Sequence, residues 1–580
     1  MIKLVTVEQM RAIEAATDRA GVSYDRMMQN AGLGVARVIR QLLGKETAGK
    51  RVAVLVGPGN NGGDGLVAAR IIRQETEAEV GAYLLKPRGD DEPVFAAARG
   101  AGVFIADADS DQRGRVLTNL VASADILVDA LLGTGARLPI KGDLAKLMKR
   151  AAAALQRLPD GSEEASLWLE SPAWPGPIPA RRTLVVAVDC PSGLDCDSGE
   201  IDPLTIPADV TVTFAAAKVG QVRMPGAAAV GHLIAADIGT PADLAELETI
   251  PTELATGRGV GRLLPARPAD SHKGTFGRAL LVGGSVNYTG AMALAAEAAY
   301  RVGAGLVTLA VPQPIHVALA ARLVETTWLL LPHEMGVINA AAFDVLSREA
   351  GRIDALLVGP GMGHDEATAD FVQALLAGGA RPRKGSIGFG RPEPARTAPA
   401  EKTRFELPHA LVIDADGLNL LAGIDNWWEL LPEGTVLTPH PGEMARLSGL
   451  ERDVIQADRI AVAREKAAAW RCVMVLKGAF TVIAAPDGRV VVLPFATDAL
   501  ATAGTGDVLA GCITGLMAQG VPAMDAAVAG AYCHALAGEI AAAAHGTGRA
   551  VVAGDVLEAL PEALRRLAQD RQPLFQVLAR

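Results

Sequence analysis

The sequence predicts an α/β protein of two domains, each a mostly parallel sheet layered with helices, and three observations carry that reading. At 580 residues the chain exceeds the roughly 250 to 300 residues that one hydrophobic core organises. Short apolar runs alternate with helix-spaced stretches, the pattern of strands buried on both faces. The alternation also stops and restarts: in between lies TPADLAELETIPTELATGRGVGRLLPARPAD, rich in Pro, Thr and Ala and without a strand pattern. The boundary is expected near Ile250, giving domains over 1–245 and 250–580.

In the first half, VEQMRAIEAATDRAG after Thr6 and then YDRMMQNAGLGVARVIRQLLG place Met, Ile, Leu and Val at helical intervals, which predicts two opening helices. RVAVLV, EVGAYLL, DILVDALL, TLVVAVD and DVTVTF follow as strands. After Lys273 the same grammar returns in RALLVGG, GLVTLAV, DALLVGPG, HALVIDAD, GTVLTPHPGE and CVMVLKGAFTVIAA. The uncharged run Val508 to Met524 is too short for a membrane span and is broken by Gly511, Gly515, Gly520 and Pro522, so it reads as a buried helix followed by a turn. Residues 158–182 and 378–408, rich in Pro, Gly and Arg, read as surface insertions.

Composition narrows the classes of partner. A formal charge of -10 without an extended Lys/Arg run argues against nucleic acid and anionic membranes, and points to small-molecule ligands. Five cysteines form neither a disulfide framework nor a repeated C-x-x-C metal site, which suits a reducing cytoplasm. The opening MIKLVTVEQM reaches Glu8 before a signal-peptide core has developed. A homo-oligomer is expected.

Chemistry enters first at GPGNNGGDG, where the strand VAVLVG runs through glycines into a helical pattern beginning LVAARIIR. Glycines let backbone amides approach a ligand, and a helix start offers a positive dipole end to phosphate. A glycine-rich turn can equally be a tight strand–helix connection, but turn geometry does not require Asn60, Asn61 and Asp64. VDALLGTG then sets Asp129 at a strand end before Gly133 and Gly135, and VVAVDCPSGLD sets Asp189 and Ser192 at another. Each Asp could merely cap a helix. Carboxyl ends of parallel strands share one rim, however, so the three loops should converge on one crevice.

Together, NNGGDG, VDALLGTG and VDxPSG in that order resemble the YjeF N-terminal family of NAD(P)HX epimerases over most of residues 1–240. The resemblance implies a Rossmann-like three-layer α/β/α domain. It implies that Asn60, Asn61, Gly62, Gly63 and Asp64, with Gly133, Thr134, Gly135, Ala136, Arg137, Leu138 and Pro139, bind the hydrated dinucleotide. Asp189 would sit against it as acid or base, and Asn61, Asp129 and Ser192 would hold a potassium ion. Oxygen ligands suit a hard cation without distinguishing potassium from sodium.

The second half carries ATAGTGDVLAG, in which Gly504 and Gly506 leave N–H groups free at a helix start and Asp507 follows. Such a turn is an anion hole beside a carboxylate able to take the proton of an attacking hydroxyl. With SHKGTFGR, GPGMG, DADGLNLL, TPHPGE and KGAFT in order, it resembles the ribokinase-like superfamily, and within it the NAD(P)H-hydrate dehydratases, over residues 270–560 apart from the insertion. The resemblance implies that Lys477, Gly478, Ala479, Phe480, Thr481 and Gly506 bind an adenine nucleotide, while Gly361, His440 and Asp507 face the hydrate. It also implies ADP as co-substrate, with Mg2+ as a candidate companion, although no residue distinguishes ADP from ATP. The rival readings are a vitamin-precursor kinase of the same fold and a catalytically silent first half.

Overall fold

The structure, a computed structural model, describes residues 1–155, 183–349, 353–378, 407–568 and 576–578. Insertion 158–182 lies outside the described residues, as does 378–408 apart from Gly378, Leu407 and Pro408. The chain divides into two compact units, Met1–Gly257 with Arg571–Arg580, and Arg258–Asp570.

The first unit opens with a strand that the helix-centred reading passed over, β1 (Ile2–Val5). Thr6 then starts α1 (Val7–Arg19) through a reciprocal capping box with Gln9, and Ser23 caps α2 (Tyr24–Leu43). There follow β2 (Arg51–Val56), α3 (Asn60–Glu75), β3 (Glu79–Leu84), α4 (Pro93–Gly100), β4 (Phe104–Asp107), α5 (Arg115–Ser123) and β5 (Ile126–Ala130). The unit continues through α6 (Gly142–Ala154), β6 (Leu184–Val188), β7 (Val210–Phe214), β8 (Ala217–Lys218), β9 (His232–Ala236) and β10 (Thr252–Leu254).

Seven of these strands form a parallel sheet in the order β9-β7-β6-β5-β2-β3-β4, with Gln576–Leu578 pairing parallel beyond β9. Strand β10 pairs antiparallel with β1, so residues past Ile250 still pack with this unit. Alternation along β2 makes the layers: Val52, Val54 and Val56 face the cluster built with α1 to α4, while Ala53 and Leu55 face the one built with α5 and α6. The result is a Rossmann-like three-layer domain.

The second unit lays β11 (Arg278–Val282), β12 (Leu306–Pro312), β13 (Thr327–Leu331), β14 (Ala355–Val358), β15 (Leu411–Ile413), β16 (Val436–Leu437) and β17 (Val473–Leu476) in one parallel sheet. Its order is β13-β12-β11-β14-β15-β16-β17, extended antiparallel by β18 (Val482–Ala484) and β19 (Val490–Val492). Helix α7 (Thr289–Arg301) follows β11. The apolar run is a buried helix, here Thr505–Ala518, and a turn at Gly520 precedes the next helix, Ala523–His545. Its glycines are contact points: a Cβ on Gly511 or Gly515 would lie 2.2 or 2.7 Å from the carbonyl of Ala295 or Ala299 in α7. Helix Ala523–His545 is long and apolar enough to cross a membrane, yet 78% of its most apolar window is buried inside the protein, which makes it a core helix.

Candidate active sites

In the first unit the strand order reverses between β2 and β5, the switch point where open α/β sheets bind ligands. The glycine-rich stretch here is less of a loop than the sequence predicts. Helix α3 begins at Asn60 with Gly59 as its cap, so Asn60 to Asp64 form its first turn and more. Close approach permits this early start, because a Cβ on Gly62 would sit 2.1 Å from the Gly57 carbonyl and one on Gly65 2.5 Å from Ala130 Cβ. Among the described residues the N–H groups of Asn60, Asn61 and Gly62 have no acceptor, leaving a helix terminus suited to an anion. Arg88, largely buried, donates to the carbonyls of Gly57 (2.8 Å) and Gly59 (3.0 Å) and fixes the entry to that turn.

Asn61, Asp129 and Ser192 meet around Leu132. Asn61 Nδ2 donates to Leu132 O (2.9 Å), and Ser192 Oγ accepts from Leu132 N (2.9 Å). Ser192 Oγ also donates to Asp129 Oδ1 (2.6 Å), while Ser192 N donates to Oδ2 (2.8 Å). Burial pushes the Asp129 carboxyl above the usual range, against the lowering pull of hydrogen bonds from Ser192 and Leu131. Gly133 packs against Asn61, and the loop from Thr134 to Pro139 forms a partly exposed rim with a turn from Ala136 N to Gly133 O (3.1 Å).

Asp189 leaves β6 with φ +63, a conformation strained for a non-glycine residue. It is held there by Asp189 N to Val212 O (2.8 Å) and Gln221 Nε2 to Asp189 O (2.7 Å). Its Oδ1 accepts from Lys218 Nζ (2.6 Å) and Thr213 Oγ1 (3.2 Å). Lys218 is 1% exposed and bonds Thr213 Oγ1 as well (2.8 Å). Sequence reasoning missed this partner, although a lysine inside the apolar stretch FAAAKVG was the available signal, since a buried ammonium needs an anion. The buried Asp64 carboxyl is raised well above its ordinary range by burial, then by Asp189 and Glu14, against Lys218. Burial likewise raises Glu14 on α1.

The second unit has its own switch point between β11 and β14. Gly504, at φ +91, caps helix α8 (Thr505–Ala518), and the N–H groups of Gly506 and Asp507 find no acceptor among the described residues. The Asp507 carboxylate accepts no hydrogen bond there either. Burial raises it to about 7, helped by Asp414 and Asp416 and opposed by Lys477. Lys477 Nζ donates to Asp414 Oδ1 (2.9 Å), lies 3.7 Å from Glu443 Oε2, and would be 3.6 Å from a Cβ on Gly506. Burial pulls the ammonium down, but Asp414, Glu443 and Asp507 outweigh it and hold it above its ordinary value. Thr438 Oγ1 donates to the same Asp414 oxygen (2.6 Å).

His440 has a structural task as well as an exposed edge. Its Nδ1 accepts from Gly442 N (2.9 Å) and Glu443 N (3.3 Å), capping helix α9 (Pro441–Ser448), and Glu443 Oε2 accepts from His440 N (2.7 Å). Burial, then Lys477, depress its pKa, which favours the neutral ring that this cap requires. Gly361, at φ +64, lies against Tyr288, and Asp416 accepts from Gly363 N (2.9 Å), tying the Gly361 loop to the Asp414 loop. Lys477 to Thr481 form a turn whose carbonyls are gripped by Arg459, a residue that sequence reasoning did not select.

A Rossmann-like rim lined by oxygen donors and a ribokinase-like rim carrying an anion hole and a free carboxylate define a two-site α/β enzyme of phosphate-bearing small molecules. The family of YjeF-related protein N-termini matches residues 24–220, and that of NAD(P)H-hydrate dehydratases matches 279–380 and 386–562. The bifunctional NAD(P)H-hydrate repair enzyme of Moorella thermoacetica is 38% identical, covering 98% of this chain and 97% of its own. That of Salinibacter ruber is 35% identical, covering 98% and 97%. An ADP/ATP-dependent NAD(P)H-hydrate dehydratase from Bacillus subtilis, co-crystallised with ATP and Mg2+, is 27% identical with a TM-score of 0.42, covering 54% of this chain and 98% of its own. The chain belongs to the family of bifunctional NAD(P)H-hydrate repair enzymes, in which an epimerase is joined to a dehydratase. The vitamin-kinase rival is thereby set aside.

Proposed function

We propose that the second unit uses ADP to phosphorylate the C6 hydroxyl of S-NAD(P)H hydrate and then eliminates phosphate, with Asp507 as general base. The hydroxyl proton passes to Asp507, its oxygen attacks the terminal phosphorus, and AMP leaves. The free N–H groups of Gly506 and Asp507, with Lys477, face the charge that gathers on the phosphoryl oxygens. The ring nitrogen then expels phosphate from C6, and loss of a C5 proton restores the dihydropyridine. The observation that carries the reading is the Asp507 carboxylate, free of hydrogen bonds among the described residues and raised to about 7 beside an open anion hole. A Mg2+ ion would neutralise phosphate charge and fits best as an arrival with the nucleotide, since Asp414 and Glu443 are engaged with Lys477. Hydrated NADH mixed with ADP or ATP tests this directly: no recovery of dihydronicotinamide absorbance with either nucleotide removes the assignment.

In the first unit we propose that Asp189 moves the proton that inverts C6, with Lys218 as its fixed counter-charge. The helix terminus at Asn60 to Gly62 and the Gly133 to Pro139 rim would hold the dinucleotide phosphates and ring. The amide of Asn61, the carboxylate of Asp129, the hydroxyl of Ser192 and the nearby Leu132 carbonyl make an oxygen set that fits a potassium ion. Such an ion would offset the buried Asp129 charge. Free, buried thiols at all five cysteines support a reducing, cytoplasmic setting.

A further inference from the structure

Arg459 stands at the start of helix α10 (Arg459–Trp470), and its side chain turns back beneath the Lys477–Thr481 turn. One guanidinium nitrogen, Nη2, donates to Leu476 O (2.7 Å) and Lys477 O (3.0 Å), and Nη1 donates to Ala479 O. No carboxylate lies within ion-pair distance of it among the described residues, and its Nε is buried without a partner. Burial alone pulls it down to about 10. A half-buried cation whose side chain meets only carbonyl dipoles among the described residues gives up hydration without gaining a carboxylate, so its placement calls for a reason beyond packing.

That reason follows from peptide geometry. In a trans peptide the carbonyl of one residue and the N–H of the next point in opposite directions. Drawing the carbonyls of Leu476, Lys477 and Ala479 inward therefore turns the N–H groups of Lys477, Gly478 and Phe480 the other way. Lys477 N reaches Pro439 O (2.9 Å) and Phe480 N reaches Phe495 O (2.7 Å). Gly478 N has no acceptor among the described residues. Thr481 Oγ1 meanwhile donates to Gly478 O (2.8 Å), which turns the N–H of Ala479 outward too, again without an acceptor. Gly478 stands at φ +141, a conformation that favours glycine, and a Cβ there would also crowd the Arg459 guanidinium at 3.0 Å.

We infer that Arg459 is a positioning residue for the nucleotide: from behind the turn it aims the Gly478 N–H, beside the Ala479 N–H that Thr481 turns outward, at a phosphate of ADP and adds a positive charge without a carboxylate partner among the described residues to that face. The inference rests on the dehydratase reading of this unit and adds a residue that does not touch the substrate. Arg459 should therefore govern affinity for the nucleotide and leave affinity for the hydrate alone.

The test is steady-state dehydration by the full chain, varying ADP and S-hydrate separately, for wild type, Arg459→Met, Arg459→Lys and Thr481→Val. Arg459→Met should raise the KM for ADP about tenfold or more, the loss expected for a charge-assisted hydrogen-bond set, with the KM for hydrate within about twofold. Arg459→Lys keeps the charge but lacks the fork, so its KM for ADP should fall between. Thr481→Val should raise the same constant severalfold and decides the matter if Arg459→Met does not fold. A wild-type KM for ADP in Arg459→Lys and Thr481→Val, or equal rises for ADP and hydrate, overturns the inference. Absence of nucleotide-dependent turnover in wild type would instead overturn the dehydratase reading beneath it.

Discussion

Asp189 in the first unit meets a lysine that is 1% exposed and a threonine hydroxyl, whereas Asp507 in the second meets no donor at all among the described residues. Both stand on the carboxyl rim of a parallel sheet, so topology does not separate them. Their partners do. A carboxylate locked into an ion pair is part of the fold, while one left unsatisfied and raised to about 7 can accept a proton at little structural cost. Each rim also sets an arginine behind a phosphate-suited turn: Arg88 holds the carbonyls of Gly57 and Gly59, and Arg459 holds those of Leu476, Lys477 and Ala479.

The sharpest way to break the contrast is Asp507→Asn. It should lower nucleotide-dependent dehydration by about 10² to 10⁴ while epimerisation and the melting temperature stay near wild type. A comparable loss of stability would show that Asp507 is structural after all. Next in size, Asp189→Asn and Lys218→Met should each destabilise the first unit by about 3 to 5 kcal/mol, because either leaves a buried group without its partner. The double variant should recover much of that stability yet remain unable to epimerise; additive losses in denaturant titrations would argue against a coupled pair.

Smaller effects refine the picture. Because Asp507 must be ionised to act as a base and its value is raised to about 7, dehydration measured as kcat/KM should fall about tenfold per pH unit below that value. A profile flat down to pH 5 would contradict the role. Asp129→Ala should weaken dinucleotide binding and reduce its response to potassium together, followed as R and S interconversion without ADP; equal potassium dependence in variant and wild type would remove Asp129 from the cation set.

Much of this was legible in the sequence because the relevant elements are locally determined. Runs such as RVAVLV and DILVDALL are apolar on both faces and could hardly be anything but buried parallel strands, and Asp129, Asp189 and Asp507 sit where such strands or the helix after a glycine turn must place them. What escaped depends on contacts distant in sequence. FIAD and TWLLL lie at sheet edges with partial exposure, which blurs their period. The start of α3 at Asn60 depends on a glycine meeting Gly57 and another meeting Ala130, neither visible as a helix signal. Lys218 and Arg459 act through partners up to 29 and 20 residues away, and no spacing motif announces either.

The most direct test of two separate sites supplies purified R-hydrate of NADH, with and without ADP, to wild type and Asp507→Asn, subtracting spontaneous epimerisation. Wild type with ADP should restore dihydronicotinamide absorbance by way of the S form. Without ADP it should only equilibrate R and S, and Asp507→Asn should do no more than that under either condition. Restoration of NADH by Asp507→Asn, or failure of the wild type to interconvert R and S faster than buffer, would contradict the account.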